Sequence, residues 1–138
     1  MTILKFVPQG KIAKDVRSAL EKAWANLNPH FPMTRRIRVL LCPAYTVQAP
    51  DGGIGFACFM PMPKYALIAV ATWPLTRERR GGPVVQSRRD GIRCIVESFC
   101  HELGHYEQMR DGKPLTERGI AARTKRLAKL AGVKRPWQ

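Results

Sequence analysis

Apolar side chains recur at three- and four-residue spacing through residues 9–27, QGKIAKDVRSALEKAWANL, with Lys and Arg between them. Ile12, Val16, Ala19, Leu20, Ala23 and Leu27 form one stripe, which predicts an amphipathic helix. Asn28-Pro29 ends it, because the residue before a proline is pushed out of the helical region. RRIRVLLC (35–42) predicts a strand, followed by a loop that holds Pro43 and Pro50 and closes in Asp51-Gly52-Gly53. IGFACFM (54–60) and YALIAVATW (65–73), joined by PMPK, predict two further strands. TRERRGGP (76–83) is polar and carries a double glycine and a proline, so it reads as a loop. A long helix is expected from Pro83 or Ser87 to Arg110, with Asp111-Gly112 as its end. A last helix is expected over about 114–131, until Gly132.

With a short strand at the start, this order predicts an α+β domain with helices on one face of a small sheet. The sheet is expected to have three to four strands and mostly antiparallel edges. At 138 residues the chain is one domain, with a basic tail over about 123–138. Hydrophobic residues make up 45% and charged residues 25%, which excludes a disordered chain. The longest nearly uninterrupted apolar stretch, Tyr65 to Leu75, has 11 residues, where a membrane span needs about 20. The start MTILKFVPQGK lacks the features of a secretory signal, so a soluble, cytoplasmic protein is expected. Cys42, Cys58, Cys94 and Cys100 lie in apolar runs without a C-x-x-C pair and are expected to be reduced, buried thiols.

Charge changes the picture more than composition does. The formal net charge is +14, yet residues 94–112 set Arg110 against Glu97, Glu102, Glu107 and Asp111. An acidic island in a basic chain needs a reason, and a cation site supplies one.

That island contains His101-Glu102-Leu103-Gly104-His105, the pattern H-E-x-x-H. Residues four apart lie on one helix face, so both imidazoles reach one ion, while Glu102 is offset by one position. This is the geometry of a zinc site with two neutral histidine nitrogens at about 2.0–2.1 Å and a carboxylate as general base. Zinc lowers the pKa of a bound water toward about 7, and Glu102 takes the proton as the water attacks a carbonyl. Ile92, Ile95, Val96, Phe99 and Leu103 give the same helix an apolar side, so it is expected to pack into the fold. Glu97 and Glu107 read either as supports for the ligands or as solvated surface charges.

A catalytic zinc normally takes a third protein ligand. His30, beside Pro29, reads as a turn residue. Asp111 lies six residues after His105, the metzincin ligand spacing, but Gln108 stands where that family places a turning glycine. Glu117 lies twelve residues after His105, in the first turn of the expected last helix. A helix–turn–helix that folds back would bring it to the histidines, so Glu117 is favoured over Asp111.

The helix with HELGH, the turn at DGKP and a glutamate beyond it resemble a minimal gluzincin-type zinc metallopeptidase of the zincin superfamily. The specific likeness covers about residues 97–121. It implies a small zincin-like domain, His101, His105 and Glu117 as Zn2+ ligands, Glu102 as the catalytic base, and a protein or peptide substrate. It also implies an edge strand that pairs with extended peptide, for which IGFACFM is the candidate. The chain departs from the longer family pattern at Ala121 and Ala122, where an acid that orients a histidine is usual. Tyr106 points about 100° away around the helix and offers no oxyanion partner.

Two basic stretches, RERRGGPVVQSRRDGIR and RTKRLAKLAGVKRPWQ, make nucleic-acid contact a second expectation. The candidate contacts are Arg79, Arg80, Arg88, Arg89, Arg123, Lys125, Arg126 and Lys129. The alternative to a peptidase is a non-catalytic basic module, binding nucleic acid or protein, in which a metal clamps helix to helix.

Overall fold

A computed structural model describes residues 3–74 and 87–133. Strand β1 (Leu4–Pro8) leads to helix α1 (Lys14–Leu27), and strand β2 (Arg36–Cys42) follows a single 3-10 turn. A two-residue ladder of β3 (Val47–Gln48) and β4 (Ile54–Gly55) precedes β5 (Ala57–Pro61) and β6 (Tyr65–Ala71). Helices α2 (Arg88–Arg110) and α3 (Ile120–Leu130) complete the order.

The main sheet runs β1-β2-β6-β5, with β1, β2 and β6 parallel and β5 antiparallel at one edge. The α+β class and the four strands agree with the pattern in the sequence, but only one edge is antiparallel. A strand pairing is set by which partner buries the strand's apolar residues, and strand periodicity carries no direction. Alternate residues of all four strands face the helices. Leu4, Phe6, Ile37, Val39, Leu41, Ala66, Ile68, Val70, Ala57 and Phe59 join one core with Val16, Leu20 and Leu27 of α1 and Ile95, Phe99 and Leu103 of α2. Of the expected stripes, Val16, Leu20, Ala23 and Leu27 of α1 and Ile95, Val96, Phe99 and Leu103 of α2 are buried, whereas Ile12 precedes α1 and is, like Ala19 and Ile92, partly buried.

The elements differ from expectation at their ends. Helix α1 starts at Lys14, five residues later than expected; before it the chain still follows the sheet, the Gln9 amide donating to the Leu41 carbonyl at 2.9 Å. Ser87 caps α2, its Oγ accepting from the amide of Asp90 at 3.1 Å. The helix ends at Arg110, with Asp111 as its C-cap. The last helix begins only at Ile120, since Gly119 has φ +77°, a left-handed conformation that interrupts helical continuation backwards. Glu117 therefore sits on the connecting loop rather than in a first helical turn. Run IGFACFM divides into β4 and β5, with Phe56 between them.

Helix α3 lies close against α2. A Cβ on Gly104 would be 2.8 Å from Ile120 Cδ1, so the glycine inside HELGH allows the approach. Cys58 and Cys100 are buried, Cys42 is half-buried and Cys94 is exposed, all as free thiols. Burial pushes the Cys100 thiol up to about 12. Among the described residues no helix is long and apolar enough to cross a membrane.

Candidate metal centre

One turn of α2 separates His101 from His105, and their ring centroids are 5.0 Å apart. The rings point to the loop between α2 and α3, where Glu117 meets both. Glu117 Oε2 lies 3.2 Å from His101 Nε2, and Oε1 lies 3.2 Å from His105 Nε2. His105 is further confined by Phe59 of β5, whose ring stacks on it at 6.4 Å. Ligand atoms of His101, Glu102 and His105 lie within 4.8 Å of one another. That cluster could hold a metal ion, and two imidazole nitrogens with a carboxylate are a ligand set that zinc takes.

Glu102 is 6% exposed, and its Oε2 is buried without a hydrogen-bond partner. Burial pushes its carboxyl up to about 7, against the opposing pull of His105 and with a smaller contribution from Glu117. An orphaned oxygen of this kind is costly and marks a place where a missing partner fits. Burial also lowers the pKa of His101, which favours the neutral form that a metal ligand requires.

Asp111, the other carboxylate considered as a ligand, is turned to arginines. It accepts from Arg110 at 3.0 Å and Arg123 at 3.3 Å, and the Arg110 hydrogen bond leads the causes that lower its pKa. Glu107 neither supports a ligand nor stands in solvent. It is 3% exposed and pairs with Arg110, Arg123 and Arg126, joining α2 to α3. Glu97 pairs with Arg93 at 3.9 Å.

Those pairings also redistribute the candidate nucleic-acid contacts. Arg123 and Arg126 are turned to Glu107, and Arg88 forks onto Asp15 at 2.7 and 2.9 Å. Arg89, Lys125 and Lys129 are exposed. Arg79, Arg80 and the residues beyond Val133 lie outside the described residues. The first part of the expected basic tail is helix α3, which buries Leu127 and Ala128.

Two concave regions, about 480 and 440 Å3 in volume, share Ala57, Glu102 and Glu117. Phe56, Cys94, Glu97 and Ser98 line one; Pro50, Asp51, Phe59 and Leu115 line the other. Together they form a cleft between α2 and outer strand β5, with the histidines at its middle. Tyr106, as expected, points elsewhere: its hydroxyl accepts from the amides of Thr34 and Arg35 and donates to the Arg35 carbonyl.

The pattern H-E-x-x-H does not include Gln108, yet this residue touches the centre. Its Oε1 lies 2.8 Å from His105 Nδ1. Sequence reasoning missed it; its place three residues after His105, on the same helix face, is the signal by which it could have been found. No family model, curated protein or solved structure matches the chain.

Proposed function

We propose that this protein is a zinc-dependent peptidase, with His101, His105 and Glu117 as the metal ligands and Glu102 as the general base. The observation that carries the reading is the convergence of both His Nε2 atoms on the two Glu117 oxygens, beside a buried carboxylate with an unpartnered oxygen. When bound there, zinc would supply Lewis acidity toward a water and toward the scissile carbonyl.

The chain's own residues have separable tasks. The Glu102 carboxylate accepts a proton from the attacking water and passes it to the departing amide nitrogen as the carbon–nitrogen bond breaks. Its burial keeps bulk water from competing for that proton, and beside a cation its ionised form is favoured. Outer strand β5 offers backbone hydrogen bonds to an extended substrate chain, and Phe56 and Leu115 offer apolar contact on either side. A protein or peptide is therefore the proposed substrate class.

Metal content by mass spectrometry tests the reading, with wild type beside His105→Ala and Glu117→Ala. About one zinc per chain is expected, lost in both variants. Wild type that retains no zinc after zinc is supplied would overturn it. Glu102→Gln then separates catalysis from a metal clamp between helices. In the peptidase, zinc stays and cleavage of an unstructured peptide library stops; in the clamp, only stability changes.

A further inference from the structure

Gln108 is 4% exposed and reaches in two directions. Its Nε2 donates to the Thr116 carbonyl at 3.0 Å and to the Arg118 carbonyl at 3.5 Å, the residues on either side of Glu117. Carbonyl oxygens only accept, so the NH2 end of the amide must face the loop. The amide oxygen is thereby left facing His105 Nδ1, 2.8 Å away. An amide oxygen carries no proton, so Nδ1 must be the donor. The lone pair of a neutral His105 ring is then at Nε2, the atom 3.2 Å from Glu117 Oε1. In addition, the Lys113 amide donates to the Gln108 carbonyl at 2.8 Å, which fastens the start of the same loop.

We propose that Gln108 is a positioning residue that presets two ligands at once. It holds His105 as the Nδ1–H tautomer, and it holds the backbone on both sides of Glu117. The second task matters because the Glu117 side chain is 75% exposed, so its reach to the histidines depends on where residues 116–118 are held. Without the amide, the Glu117 carboxylate would itself attract the ring proton to Nε2, closing the lone pair that a metal needs. Partners that fix the ring of a ligating histidine are typically worth about 10–100-fold in metal affinity.

The consequence for affinity rests on the zinc reading above; the tautomer does not. Long-range proton–nitrogen NMR of the metal-free protein at about pH 9, where a histidine ring is ordinarily neutral, reads the tautomer directly. Wild type is expected to carry the proton on His105 Nδ1, and Gln108→Met to carry it on Nε2. Competition against a chromophoric chelator reads zinc affinity, with an expected loss of about 10–100-fold in Gln108→Met. Wild type with the proton on Nε2 would overturn the proposal, even if Gln108→Met does not fold. So would a Gln108→Met variant whose tautomer and zinc affinity match wild type. Should wild type bind no zinc, the peptidase reading fails while the wild-type spectrum still decides the positioning role.

Discussion

Glu102 should make the metal-free protein lose stability as pH rises, and Glu102→Gln should remove that loss. The carboxyl is 6% exposed, one oxygen has no partner, and burial lifts its pKa from 4.5 to about 7. An unfolded chain releases this proton near the ordinary value, so between the two values the folded state holds more protons. The associated stability is fully present below about pH 4.5 and is lost as pH rises through about 7. At about 1.36 kcal/mol for each pKa unit, the full loss is about 3 kcal/mol, of which roughly 2.5 falls between pH 5 and pH 8. Urea denaturation of chelator-treated wild type and Glu102→Gln at both pH values measures it. With a slope of about 1–3 kcal/mol per molar urea, the variant's advantage in midpoint should grow by about 0.8–2.5 M. Bound zinc should shrink that growth, since a neighbouring cation favours the ionised carboxylate. A stability gap equal at both pH values, to within about 0.5 kcal/mol, would refute the reasoning.

Two further substitutions test the frame around the centre. Glu107→Ala removes the carboxylate shared by Arg110, Arg123 and Arg126, and should cost about 2 kcal/mol, less than a wholly buried pair because the arginines are partly solvated. A lower thermal midpoint with unchanged zinc content is the expected result. Tyr106→Phe leaves the amides of Thr34 and Arg35 and the Arg35 carbonyl without their buried hydroxyl partner. It should cost about 1–3 kcal/mol in denaturant unfolding and leave zinc affinity intact, since the hydroxyl is turned away from the histidines.

Local chemistry made part of the molecule legible from the chain alone. The stripes of α1 and α2 could be read because a 3.6-residue period is written directly into residue order. Asp111-Gly112 marks the end of α2 through a capping preference that depends on a few neighbours, whereas sequence leaves its beginning open between Pro83 and Ser87, the residue that caps it. The pair His101 and His105 was visible for the same reason: four residues on one helix fix their separation. Glu97 and Glu107 could not be told apart from sequence, because whether a carboxylate is buried depends on which distant arginines face it. The start of α3 was misplaced because Pro114 and the charged residues after it tolerate a helix, and only the conformation of Gly119 excludes one there.

Sequence by itself therefore determined the α+β order of elements and one face of the centre, since both follow from interactions within a few residues. Tertiary structure decided the rest. Parallel pairing of β1, β2 and β6 depends on which strands share a core. The turn of Glu117 toward both histidines depends on α3 lying against Gly104 of α2. The amide of Gln108, placed between His105 and the loop around Glu117, depends on that same packing. These contacts link parts of the chain whose relative position no local preference sets, and burial of the shared core is what fixes it.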